Sequence, residues 1–262
     1  MANSREINES KVKKIIKFFF SLFGYKITRI DNFNDRYNDF ISECTDFENE
    51  DLDIASKLAL SSKANLWSII QSLKYISYNN IKGDIIECGV YNGGSLALIL
   101  KYIKKLSIET QVLGFDTFEF GFSKSTITDN DVTIKGNKLN VTNYNNTNNF
   151  YPTVEKVKKN IENFSQNKKT KLTLVKGDVL DTLKLKENIP DSISFLRLDT
   201  DLYETTKFQL EILYPKLTVG GILHIDDYGF FPGVRKAVDD YFKGQDIWLH
   251  RVDLTCRLLI KS

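Results

Sequence analysis

Apolar residues follow two rhythms along the chain. Through residues 1–80 they recur at helical spacing, most clearly in NLWSIIQSLKYI (65–76), where Leu66, Ile69, Ile70, Leu73 and Ile76 form one stripe. From Asp84 short apolar runs alternate with helical periods. The runs Asp84–Cys88, Gln111–Phe115, Lys171–Val175, Ile193–Leu198 and Gly221–Ile225 predict five strands, with helices near 94–105, 153–164 and 204–213 between them. A further helix is predicted in VRKAVDDYF (234–242), with Val234, Ala237, Val238, Tyr241 and Phe242 on one face. Strands alternating with helices imply βαβ units, hence an α/β fold whose parallel sheet is covered on both faces. The last stretch, 247–250 and 255–260, reads as an antiparallel edge hairpin. The change of rhythm divides the chain into a helical N-terminal extension and cover (1–80) and a sheet domain (81–262).

Two segments stand apart. Residues 123–150 are rich in Asn, Thr and Gly without helical period. A loop of that length in an α/β domain is a functional lid or locally disordered, and its place after the second strand, at the ligand-binding end of the sheet, favours a lid. In residues 11–27, Val12, Ile15, Ile16, Phe19 and Phe23 recur at helical spacing opposite Lys13, Lys14 and Lys17, and Gly24 ends the period. The favoured reading is a helix packed on the body or on a second subunit. The alternative is a basic amphipathic helix resting on anionic lipid, a peripheral contact at the inner membrane face. The apolar patch is too short for a secretory segment, and no run of roughly 18 apolar residues would span a bilayer. A cytoplasmic location is expected.

Composition narrows the classes further. An apolar share of 42% excludes a wholly disordered chain. With 36 basic and 34 acidic side chains the net charge is only +2, which argues against a nucleic-acid partner. Cys44, Cys88 and Cys256 lie far apart without a CxxC pair. That spacing disfavours a thiolate zinc site or a disulfide framework and fits a reducing compartment.

The chemistry gathers at the predicted strand ends. DIIECGVYNGGS (84–95) runs from a strand through a Gly-rich turn into a helix, which brings backbone N–H groups close to a ligand. It matches neither GxxxxGK[ST] nor GxGxxG. Glu87 stands two residues before Gly89, where a carboxylate repels a pyrophosphate but suits an ammonium group or hydroxyls. Asp116 ends the second strand where doubly wound nucleoside-binding folds place an acid on ribose hydroxyls, and Asp178 follows the third. Acids after strands one, two and three suit an adenosine-bearing cation such as S-adenosylmethionine, although each alone also reads as a helix cap. FLRLDTDLYETT (195–206) and GGILHIDDYG (220–229) place Asp199, Asp201, Asp226 and Asp227 beyond strands four and five. Neighbouring strand ends bring these acids into one crevice, where their mutual repulsion favours a divalent cation with an oxygen shell, Mg²⁺, Mn²⁺ or Ca²⁺. The alternative is capping of helices near Tyr203 and Phe230, or pairing with Arg197 and Arg235. His224, inside the fifth strand, reads as a core histidine rather than a base, and Trp67 and Trp248 as core or acceptor-pocket walls.

Together DIIECGVYNGGS, FDTFE, LRLDTDLYETT, LYPKLTVGGILHIDDYG and VRKAVDDYF resemble the macrocin O-methyltransferase family, over roughly residues 64–245. The resemblance implies a Rossmann-like class I methyltransferase fold, S-adenosylmethionine as cofactor, Mg²⁺ (or Mn²⁺), a sugar hydroxyl as acceptor, and a homo-oligomer. It implies metal ligation by Asp199, Asp226 and Asp227, and cofactor contacts from Glu87, Gly89, Tyr91 and Ser95. Asp116 would take the ribose and Asp178 would lie beside the adenine. The chain departs from the family pattern at Phe120, which intervenes between Glu119 and Gly121, and at Asp178-Val179, where an aromatic usually follows the glycine. On this reading the cation orients two adjacent hydroxyls and acidifies one. Asp199 or Asp201 accepts the proton, and Tyr203 and Tyr228 wall the acceptor. Three competing readings use the same features: a nicotinamide-dependent oxidoreductase, a metal-dependent methyltransferase for catechols, and a non-catalytic glycan-assembly partner.

Overall fold

In the computed structural model, described for residues 18–20, 22–23, 41–119, 121, 127–139 and 151–262, every predicted apolar run forms a strand. They are β1 (Asp84–Cys88), β2 (Val112–Asp116), β3 (Leu172–Lys176), β4 (Ile193–Leu198) and β5 (Leu217–Ile225), all parallel. A hairpin of β6 (His250–Arg251) and β7 (Arg257–Ile260) adds antiparallel to β5. The sheet order is β3-β2-β1-β4-β5-β7-β6. Order reverses between β2-β1 and β4, so the C-terminal ends of β1 and β4 open a crevice, the place where such sheets bind ligands.

The helices are α1 (Asp46–Ala55), α2 (Lys63–Tyr78), α3 (Gly94–Leu106), α4 (Val154–Ser165), α5 (Val179–Thr182), α6 (Tyr203–Leu213) and α7 (Pro232–Tyr241). Parallel strands alternate their side chains between the two faces. Ile86, Cys88, Leu196, Leu198, Leu223 and Ile225 face the apolar stripes of α6 and α7, including Leu210, Val234 and Val238. The opposite face, with Ile85, Phe195 and Ile222, packs under α2 and α3. β5 begins four residues before the predicted Gly221. There Gly220 adopts a left-handed φ of +82° and Val219 is exposed, so glycine and reversed polarity hide the strand's first turn of pairing.

The chain separates into two compact units, residues 1–42 and 43–262. In the first, residues 18–20 and 22 are helical, and Phe18, Phe19, Phe20, Leu22 and Phe23 are exposed. The rest of the amphipathic segment 11–27 lies outside the described residues. So do 123–126 and 140–150 of the expected lid. Its middle, 127–139, is a short hairpin bridged at Val132 and Lys138. No helix among the described residues is long and apolar enough to cross a membrane.

Candidate active site

The site grows from a polar row inside the sheet. Glu87 on β1 is in register with Arg197 on β4, and Arg197 with His224 on β5. All three are buried. Arg197 is a fork with four partners. Its Nη1 donates to Glu87 Oε1 at 3.0 Å and Asp199 Oδ2 at 2.5 Å. Its Nη2 donates to Asp226 Oδ2 at 2.7 Å and Ser61 Oγ at 3.0 Å. Burial alone would lower the guanidinium's pKa, but the charges of Asp199, Glu87 and Asp226 outweigh it and hold the pKa above its ordinary value. His224 bonds Ser68 Oγ at 3.1 Å and lies 3.4 Å from Cys256 Sγ. Burial, and then the Arg197 charge, push it down to about 3, so it is a neutral core residue.

Beyond the strand ends the charge balance is one-sided. One oxygen each of Asp199, Asp226 and Asp227 fall within 4.8 Å of one another. Asp226 is the most heavily engaged. Its Oδ2 takes Arg197 and Asn65 Nδ2 (2.9 Å), and its Oδ1 takes Thr255 Oγ1 (2.8 Å) and the Asp227 N–H (2.9 Å). Burial pushes its pKa up, but Arg197 overrides that and holds it low. The others go the opposite way. Burial raises Asp199 to about 7 against the pull of Arg197, and raises Glu87 to about 7 likewise. Burial also raises Asp201, and raises Asp227 well above the usual carboxylate range, the latter with help from the Asp201 charge. Asp201 and Asp227 lie close enough to shift each other's titration. Both hold left-handed φ angles, +61° and +64°, the backbone strain that gathers at functional sites. Asp227 Oδ2 is enclosed without a partner. An orphaned carboxylate oxygen amid an excess of acids is a donor set that a hard divalent cation fits.

The other half of the crevice is the β1–α3 turn. Gly89, at φ +90°, passes so close to β4 that a Cβ would lie 1.8 Å from the Asp199 carbonyl oxygen. Asp116 fastens this turn to β2, its Oδ2 accepting the N–H groups of Val90 (2.8 Å) and Tyr91 (2.9 Å). Asp178 caps α5 through the Leu180 N–H at 2.9 Å. Gly89, Tyr91, Ser95, Asp116, Asp178 and the acids Asp199, Asp201, Asp226 and Asp227 line one cavity of about 660 Å³. Glu87 is not among its lining residues. Its Oε1 takes Ser95 Oγ (2.5 Å) and Arg197 from behind the wall, and its Oε2 is enclosed without a partner.

The apolar walls differ from expectation. Tyr203 and Tyr228 point their hydroxyls at Asp240 (3.0 Å) and Asp239 (2.8 Å), away from the cavity. Trp248 is 79% exposed on the edge hairpin, where no core reaches it, and is neither core nor wall. The walls beside the acids are instead Leu60, Phe230, Phe231 and Leu254. Phe230 and Phe231 directly follow IDDYG and were within reach of a sequence argument; Leu60 and Leu254 arrive through tertiary contacts that leave no local signal.

A sequence model described as Macrocin-O-methyltransferase (TylF) matches residues 48–260. Demethyldecarbamoylnovobiocin O-methyltransferase of Streptomyces niveus is 30% identical over 183 residues, covering 70% of this chain and 66% of that protein. Mycinamicin III 3''-O-methyltransferase of Micromonospora griseorubida is 28% identical over 164 residues, covering 62% and 61%. The matched stretch therefore spans less than two thirds of these relatives' lengths. The structure of the O-methyltransferase NovP aligns at a TM-score of 0.68 and 25% identity, covering 78% of this chain and 82% of that one. Calicheamicin methyltransferase CalS11 aligns at 0.60 and 19% identity over 99% and 98%, a likeness of fold.

Proposed function

The chain belongs to the macrocin O-methyltransferase family and has a Rossmann-like class I methyltransferase fold, and from that premise we propose that it is an S-adenosylmethionine-dependent, Mg²⁺-assisted O-methyltransferase acting on a sugar hydroxyl. One observation carries the reading: the Gly-rich β1 turn and the four aspartates at the ends of β4 and β5 open into the same cavity. A methyl donor at the turn and an acceptor hydroxyl at the aspartates would therefore meet within it.

Bound there, S-adenosylmethionine supplies an electrophilic methyl group and the divalent cation supplies positive charge beside the acceptor oxygen. Asp199 and Asp227 would hold the cation through oxygens that Arg197 does not take, with Asp226, itself pinned by Arg197, Asn65 and Thr255, as the rigid third donor. Asp201 stands beside this set on a strained backbone, without Arg197 as a direct partner, and would accept the hydroxyl proton. Asp116 would fix the turn against the nucleoside, and Asp178 the adenine side. We further infer that α1 and α2 act as the cover of the site, since Ser61 and Asn65 at the start of α2 reach Arg197 and Asp226.

The test is Asp199→Ala assayed by methyl transfer from labelled S-adenosylmethionine to a panel of sugar acceptors with Mg²⁺. Turnover should fall by at least about a hundredfold, while S-adenosylhomocysteine still binds. Undiminished Mg²⁺-dependent turnover in the variant would contradict the assignment.

A further inference from the structure

We propose that Asp131, in the hairpin inserted after β2, is a positioning residue that sets the aspartates at the end of β4; the inference rests on the metal reading above. Asp131 is buried, 1% exposed, in a segment rich in Asn and Thr that lacks any periodic signal. Its Oδ2 ties the base of its own hairpin, accepting the Thr128 N–H at 2.8 Å and the Thr128 hydroxyl at 3.0 Å. Its Oδ1 reaches 72 residues along the chain to accept the N–H of Tyr203 at 2.8 Å.

Tyr203 is the first residue of α6. The N-cap, Leu202, has no side chain able to cap, and none is bonded there locally. Helix starts leave N–H groups without intrahelical partners, and an anion near them is favoured by the helix dipole. Asp131 supplies that missing cap from a distance. α7 begins against the same carboxylate, since a Cβ on Gly233 would lie 2.4 Å from Asp131 Oδ1. What the cap fixes is the short path Asp199-Thr200-Asp201-Leu202. At its start the Asp199 N–H is bonded to the Cys88 carbonyl at 2.8 Å. At its middle Thr200 is held by Thr205 and Gln209, both from α6. Its far end is anchored where Asp131 meets Tyr203. With α6 seated, Asp201 keeps its left-handed φ and both aspartates face the cavity.

Tyr203→Pro removes the N–H that Asp131 accepts and leaves the hairpin's own bonds intact. Proline is well suited to the first helical position, and Leu202 already has the extended conformation (φ −118°, ψ 153°) that precedes proline. Tyr203→Ala is the control, losing the side chain but keeping the N–H. Mn²⁺ affinity of the full chain is measured by electron paramagnetic resonance, and S-adenosylhomocysteine affinity by calorimetry. Tyr203→Pro and Asp131→Ala should each weaken Mn²⁺ binding about tenfold relative to Tyr203→Ala and the unaltered protein respectively, with S-adenosylhomocysteine affinity held within about twofold. Combining them should weaken it no further than either alone. Equal Mn²⁺ affinity in Tyr203→Pro and Tyr203→Ala overturns the role of Asp131. No Mn²⁺ binding by the unaltered protein overturns the metal reading instead, and this inference with it.

Discussion

At the scale of single residues, Arg197 decides how so many acids coexist. Glu87, Asp199 and Asp226 all touch its guanidinium, and only a planar fork reaches three carboxylates and Ser61 at once. A buried ion cluster is poor evidence of net stability, because desolvation offsets the attraction, yet removing one partner leaves the rest uncompensated. Arg197→Met is accordingly expected to cost about 3 kcal/mol in urea denaturation with chelator present, with part of the loss recovered when Mg²⁺ is added. Unchanged stability would mean that protonation of the acids, rather than Arg197, balances the cluster. Pairing with Arg197 and ligation of a cation had stood as alternatives for the acids. The two are compatible: Arg197 takes one oxygen each of Asp199 and Asp226, and Asp199, Asp226 and Asp227 also line the cavity.

At the scale of elements, what was legible followed local chemistry. Apolar runs located β1 and β4 to the residue and β2 and β3 to within one, because buried parallel strands carry near-continuous apolar side chains. Strand ends then located Asp116, Asp178, Asp199, Asp226 and Asp227, since acids directly after apolar runs must sit at the sheet's C-terminal edge. Bonds formed across long sequence separations were hidden. Asn65 on α2 reaching Asp226, and Asp131 reaching α6, are products of packing with no motif around Asn65 or Asp131. Glu87 shows the remaining kind of difficulty. Its position before Gly89 places it behind the crevice wall, with Oε1 on Arg197 and Ser95, a pairing that no local pattern announces. The start of α1 was readable and unread, for Thr45 and Glu48 form a reciprocal capping box.

At the scale of the molecule, the acids couple folding to pH and, on the proposed metal reading, to the cation. Glu87 and Asp199, raised to about 7, bind their protons more tightly folded than unfolded. Their contribution is thus present below their unfolded pKa values and is lost as pH rises through about 7. His224, lowered from 6.5 to about 3, acts in the opposite direction, its contribution being lost as pH falls from 6.5 towards 3. Above 6.5 the unfolded His224 has only half a proton left to lose, and the two carboxyls outweigh it, so metal-free protein should melt at a lower temperature at about pH 8 than at 6.5. Saturating Mg²⁺ should reduce or reverse that difference, because a cation favours the ionised acids. A melting temperature that rises over this interval in chelator would show that the acids are not held protonated in the folded state.

On the proposed function, the β1 turn, fastened by Asp116, and the aspartates of β4 and β5 form one methyl-donor site. Calorimetric titration of the purified full chain with S-adenosylhomocysteine, repeated on Asp116→Ala, tests it most directly. Micromolar binding, about −8 kcal/mol, weakened at least about tenfold (about 1.4 kcal/mol) in the variant, is the predicted result. Folded, unaltered protein that takes up no S-adenosylhomocysteine would contradict it.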